Sequence, residues 1–205
     1  MVNSNYLIFG LFLIIFITFF SCGKVLNPKT KLQVRNNIYA KKLLDNNFLQ
    51  FADKNTINDL KNNLIDSFDI FSEENCKIVH IDAEELSEFN FDFFMPKLNF
   101  ILGKRNIALE VKKTIDYENS LEIKINNEKL KLYTKSDMDN ETFWDTAPRN
   151  FFKKVNEILN MEGINEQFYL LYSGNDLHAL LLTKKQYQII TEYHINNEKE
   201  KPYKP

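Results

Sequence analysis

The apolar residues along this chain fall into runs with different periods. The longest run covers residues 6–20, from Tyr6 to Phe20, and only Gly10 and Thr18 interrupt it. It is shorter than the roughly 20 residues that span a bilayer as a helix. Residues 23–33 contain Pro28 and show no apolar period, which predicts a tether. Helical spacing follows over residues 34–52, through Ile38, Leu43 or Leu44, Phe48 and Phe51. Asp53-Lys54-Asn55-Thr56 breaks it, and Thr56 with Asp59 predicts a capping box. Ile57, Leu60, Leu64 and Phe68 then repeat at helical spacing.

The period changes after Cys76. Residues 77–81 form a short β-branched run, and Asp82-Ala83-Glu84-Glu85 reads as an N-cap entering a helical turn. Residues 89–102 are rich in aromatics and predict helical turns broken or started near Pro96. Three alternating runs follow: Ile107, Leu109, Val111 and Ile115; Leu121, Ile123 and Ile125; Leu130 and Leu132. Asn126-Asn127-Glu128-Lys129 supplies the turn between the last two, since Asn tolerates positive φ. Residues 141–161 predict a long helix with a stripe of Trp144, Phe151, Val155 and Ile158 or Leu159, regular from about Thr146 because of Pro148 and closed by Gly163. Two strands, 168–172 and 177–182, flank a turn at Ser173-Gly174-Asn175-Asp176, and the second is too apolar for an exposed edge. Thr183 with Gln186 predicts a capping box into a last helix over 184–194.

These elements predict an α+β fold: an antiparallel sheet of about five or six strands with packing helices on one side, preceded by an N-terminal helical segment. The expected divisions are a leader at 1–21, a tether at 22–33, a helical segment at 34–72, an α+β domain at 73–195 and a mobile polar tail at 196–205.

Composition changes this picture little. The chain has 205 residues, 44% hydrophobic and 26% charged, with a formal charge of −2. That balance lacks the basic surplus by which nucleic-acid binders neutralise phosphate, so no nucleic-acid partner is expected. The charge is unevenly placed, however. Lys24, Lys29, Lys31, Arg35, Lys41 and Lys42 precede the first acid after residue 22, Asp45. Beside a membrane anchor such a stretch gains attraction to anionic headgroups; without one it is a solvated linker.

Ser21-Cys22-Gly23 follows directly on the apolar run. Here the chain resembles the bacterial lipoprotein signal peptide, whose core ends in a small residue and an invariant cysteine. The resemblance covers residues 1–22 alone. It implies cleavage between Ser21 and Cys22, acylation of Cys22, and attachment to the cell membrane or outer membrane through that lipid. The alternative is an uncleaved signal anchor. Some lipoproteins carry an acidic cluster after the cysteine that marks outward display; its absence here predicts a periplasm-facing protein. With Cys22 lipidated, Cys76 has no disulfide partner and is expected as a buried thiol at a strand start.

Chemistry-bearing motifs are sparse. The three histidines, His80, His178 and His194, are far apart, and neither a zinc-protease helix nor a paired-cysteine motif is present, so no metal or other cofactor is expected. His80 with Asp82, and Asp176 with His178, share a two-residue spacing; if the two pairs met they could bind a metal or share a proton, which makes them the best catalytic candidate. Asp82 also explains itself as a cap, and Asp176 as turn chemistry. Phe143, Trp144, Tyr169, Tyr172, Tyr187 and Tyr193 are candidates for an aromatic contact surface, though their spacing mostly fits core positions. The favoured expectation is a membrane-anchored, non-catalytic binding protein with a protein partner, a toxin or an envelope protein. An immunity protein against a secreted toxin is one version. An envelope hydrolase using His80, Asp82 and His178, and a structural envelope component, are the alternatives.

Overall fold

The computed structural model describes residues 27–205, so the leader, Ser21 and Cys22 lie outside the described residues. The chain runs through α1 (Pro28–Asp45), α2 (Ile57–Ser67), β1 (Ile78–Ile81), α3 (Ala83–Ser87), α4 (Met95–Gly103), β2 (Val111–Lys113), α5 (Tyr117–Ser120), β3 (Glu122–Ile125), β4 (Glu128–Lys131), α6 (Lys135–Asp139), α7 (Phe143–Met161), β5 (Glu166–Leu171), β6 (Leu177–Thr183) and α8 (Lys184–Tyr193). The fold is α+β. Among the described residues six strands, all paired antiparallel, divide into two sheets of three, ordered β1-β6-β5 and β2-β3-β4, rather than forming one.

The first sheet separates two cores. Val79, Ile81, Phe168, Leu170, Ala179 and Leu181 face one side, where they meet α3, α4, α7 and the second sheet. Ile78, Tyr169, Leu171, Leu180 and Leu182 face the other, against α1, α2 and α8. Helices therefore cover both faces, not one. This explains why Leu177–Thr183 reads as nearly continuous apolar sequence. Neighbouring side chains point to opposite faces, and both faces are buried.

Local chemistry sets most element ends. Asn126 and Asn127 adopt φ of 48° and 69° between β3 and β4, the two positive values of a type I′ hairpin turn. Thr183 and Gln186 form the reciprocal capping box of α8. Thr134 and Asp137 form another on α6. Cys76 is a buried free thiol just ahead of β1. Thr56, by contrast, makes no side-chain cap: its φ and ψ are already helical, so its hydroxyl turns instead toward the Asp53 carbonyl.

Three further expectations need correction. The first concerns α1, which begins at Pro28, inside the expected tether. The Asn27 side chain accepts the Lys29 N–H, and Pro28 occupies a first-turn position where its missing N–H costs nothing. The buried stripe of α1 is Asn36, Ala40 and Leu43, while Ile38 points outward. The second concerns Ile115, which is fully exposed because β2 ends at Lys113.

The third concerns residues 196–205, which are docked and not a free tail. Tyr203 exchanges two backbone hydrogen bonds with Leu170, of 2.7 and 2.8 Å, on the free edge of β5. Its hydroxyl donates to the Tyr172 carbonyl at 2.8 Å, and the Tyr172 hydroxyl donates to Glu200 at 2.5 Å. Backbone pairing of this kind leaves no apolar period in the sequence.

Candidate functional site

β1 and β6 pair in a register that sets His80 directly opposite His178. Their rings lie 5.1 Å apart, centre to centre, on the same face as Ile78 and Leu180 but beyond the helices that cover that face. The turn after β5 folds back over them. His80 Nε2 donates to the Asn175 carbonyl at 2.7 Å, and His178 Nδ1 donates to the Asp176 carbonyl at 2.8 Å. A carbonyl only accepts, so each ring carries its proton on the bonded nitrogen. Burial pulls the His178 imidazole below its ordinary pKa; the Asp176 carbonyl opposes this and the neighbouring His80 adds to it.

The two carboxylates of the expected constellation do not join the imidazoles. Asp82 is spent as the N-cap of α3, where its carboxylate accepts the Glu84 and Glu85 N–H groups at 3.0 and 3.2 Å. Asp176 offers His178 its backbone oxygen, not its side chain. The structure thus brings His80 and His178 together and leaves the acid–base partners of a hydrolytic site elsewhere. His194 packs against Phe68 and Tyr193, apart from this pair. Among the described residues, no three His, Cys, Asp or Glu side chains gather as a metal site would require.

Around the imidazoles lies an aromatic strip. Phe93 meets His80 edge-on at 5.7 Å and is 55% exposed. Phe71 and Tyr172 each lie 5.9 Å from His178 and stack on one another at 6.2 Å with rings 5° from parallel. Burial and the Glu200 carboxylate push the Tyr172 hydroxyl up to about 12, so it stays a donor. Beside the strip a cleft of about 710 Å³ opens between β6, α7 and the C-terminal segment. Asp176 and His178 line it with Tyr172, Tyr203 and the Asp145–Arg149 pair, whose Nε–Oδ2 distance is 2.6 Å. The Arg149 guanidinium also sits 4.7 Å over the Tyr203 ring.

The other aromatic candidates belong to separate packing groups. Phe143 packs on Trp144 and Tyr133, Tyr169 stacks on Tyr187 at 4.2 Å, and Tyr193 stacks on Phe68 at 3.7 Å. Only Tyr172 belongs to the strip. Phe71 and Phe93 were not among the expected residues: Phe71 follows Ile70 and Phe93 follows Asp92, each between regular elements where no apolar period marks it.

A second polar cluster sits just ahead of His80, at the other end of β1. Glu166, at the start of β5, receives Arg105 through Nε at 2.7 Å and a second guanidinium nitrogen at 3.0 Å. Lys77 bonds the same carboxylate and also Gln186 at 3.3 Å. All three charged groups are buried. The remaining guanidinium nitrogen donates to the Cys76 and Ile101 carbonyls at 3.1 and 3.0 Å, and the guanidinium lies 4.0 Å over Phe51. Burial alone would push the Glu166 carboxyl up, but Arg105 and Lys77 outweigh it and hold it below the usual carboxylate range. No known protein family, curated protein or solved structure matches this chain.

Proposed function

We propose that this chain is a lipid-anchored binding protein of the bacterial envelope. It is held to a membrane through acylated Cys22, faces the periplasm, and contacts a protein partner through the histidine–aromatic strip. The observation that carries the reading is the strip itself: Phe93, His80, His178, Tyr172 and Phe71 form one continuous row of rings at a partly open end of the sheet. Aromatic rings of this kind anchor protein interfaces, because they remove large apolar area from water and lose little side-chain entropy. Burial favours the neutral form of His178, which costs less to desolvate against a partner than a charged imidazole would. The anchor rests on Ser21-Cys22-Gly23 and the apolar run before it.

Two experiments test the two halves. Radiolabelled palmitate is expected to mark the wild-type chain and not the Cys22→Ala variant; equal labelling of both removes the anchor. A photo-crosslinking residue placed at Phe93 in living cells is expected to trap a discrete second protein. The same residue at Ile115, fully exposed past the end of β2, is the control. Equal, diffuse products from both positions would defeat the proposed contact surface.

A further inference from the structure

We propose that the outer face of α1 lies on an anionic lipid surface, with Val34 and Ile38 entering the boundary between headgroups and acyl chains. The inference rests on the anchored reading above and adds a second, non-covalent contact with the bilayer. α1 buries Asn36, Ala40 and Leu43 against the protein. At about 100° per residue, Val34 and Ile38 stand on the opposite side of the helix, one turn apart. They are 46% and 50% exposed, and Leu32, in the first turns, is 52% exposed. Among the described residues nothing packs over this face.

The charges that flank Val34 and Ile38 are basic. Lys31 and Lys41 flank Val34 and Ile38 on either side by helical position, and both are exposed without an ion-pair partner among the described residues. Arg35 lies 4.5 Å over the Tyr193 ring, and Lys42 lies 4.3 Å over Tyr39 and 3.4 Å from Glu192, so these two are partly committed within the protein. Asp45, the one acid of the helix, falls on the same side as Val34 and Ile38 but at the far end, two turns beyond Ile38. An apolar ridge bordered by lysines is the arrangement by which a helix lies in a membrane interface. The apolar side chains enter among the acyl ends while the lysine stems extend to anionic headgroups.

The position of the helix supports the same occupant. Because α1 begins at Pro28, only five residue steps separate Cys22 from Asn27. Fully extended, they reach at most roughly 18 Å. A lipid on Cys22 therefore holds the first turn of α1 close to the headgroups, at an effective concentration that a long tether would not give.

The test uses the full chain with Trp144→Phe and Ile38→Trp, which leaves one tryptophan on the ridge and keeps Cys22 native. The protein is bound to vesicles of phosphatidylcholine alone, or of phosphatidylcholine mixed with phosphatidylglycerol, both with brominated acyl chains. Flotation reports attachment, and tryptophan quenching reports depth. The expected result is flotation on both vesicles, with strong quenching only on the mixed ones and its loss at high salt. Adding Lys31→Glu and Lys41→Glu, a change of roughly four charge units, is expected to weaken the dependence on anionic lipid at least tenfold. Flotation on both with an unquenched tryptophan would overturn the lipid contact and leave the anchor standing. Flotation only on the mixed vesicles, with quenching, would overturn the anchor and leave the contact standing. Absence of flotation on either would overturn both.

Discussion

The two ends of β1 carry polar clusters of opposite character. At one end Lys77, Arg105 and Glu166 are almost wholly buried at the floor of a cleft, and each charge meets several partners. At the other, His80 and His178 are half-buried, hydrogen-bonded only to a turn, and bordered by the exposed Phe93 and Phe71. Desolvating a charge is costly, so a buried cluster persists only when geometry and hydrogen bonding offset that cost. A cluster left partly wet has no such requirement and remains free to meet something else. The contrast separates a structural lock, which ties β1, β5, α8 and the end of α4 together, from a surface that keeps contacts in reserve.

Removing Glu166 breaks this contrast most directly. Glu166→Ala strands two buried cations around an empty space, and is expected to destabilise the fold by about 3–5 kcal/mol, read from urea unfolding midpoints. Replacing Lys77, Arg105 and Glu166 together with apolar side chains of similar size is expected to recover most of that loss, since no uncompensated charge remains. A small effect of Glu166→Ala would mean that the buried end is not a lock.

Shortening the chain tests whether the C-terminal segment belongs to the fold. Ending it after Ile195 removes two backbone hydrogen bonds to Leu170, the Tyr203 hydroxyl bond and the Glu200 partner of Tyr172. A loss of about 2 kcal/mol is expected, together with faster hydrogen exchange at the Leu170 amide. Unchanged exchange there would show the segment to be detached. Asp82→Ala should cost about 1 kcal/mol through the lost cap of α3, without altering palmitate labelling or crosslinking at Phe93. A specific loss of crosslinking would instead make Asp82 part of the contact surface.

What was legible in the sequence was chemistry between near neighbours. The Asp82 cap, the Thr183–Gln186 box, the Asn126-Asn127 turn and the placing of β6 away from a sheet edge all rest on residues a few positions apart. What was not legible depended on pairing across the chain. Glu166 lies 61 residues from Arg105 and 89 from Lys77, and no local pattern links them. The meeting of His80 with His178 follows from the β1–β6 register, which alternating hydrophobicity cannot specify when both faces are buried. The start of α1 was hidden by Pro28, which reads as a breaker until Asn27 is recognised as its cap. Its inner stripe was masked by Asn36, whose amide is satisfied internally: it donates to the Asp66 carbonyl and accepts from the Tyr193 hydroxyl, both at 2.7 Å.

The smallest expected effect concerns pH, and it distinguishes the two ends by where each titrates. Burial lowers the folded-state pKa of His178 below the ordinary 6.5, and burial shifts His194 the same way. Below 6.5 the unfolded chain therefore takes up protons more readily than the folded one. The contribution of these histidines to stability is whole above that value and is lost as pH falls through it toward the folded values. Glu166 behaves as the usual lowered carboxyl: its contribution is present above the ordinary carboxylate pKa and fades only as pH falls further, toward its folded value. His178→Phe keeps an aromatic ring in the strip but loses the bond to the Asp176 carbonyl, and should cost no more than about 1 kcal/mol at neutral pH. It should also flatten part of the slope just below pH 6.5, with His194 supplying the remainder, while the carboxylate region keeps its shape. Urea midpoints across a pH series separate the two windows. An unaltered slope below 6.5 would mean that the His178 ring is wet in the folded protein, and its low cost of desolvation against a partner would no longer support the contact surface.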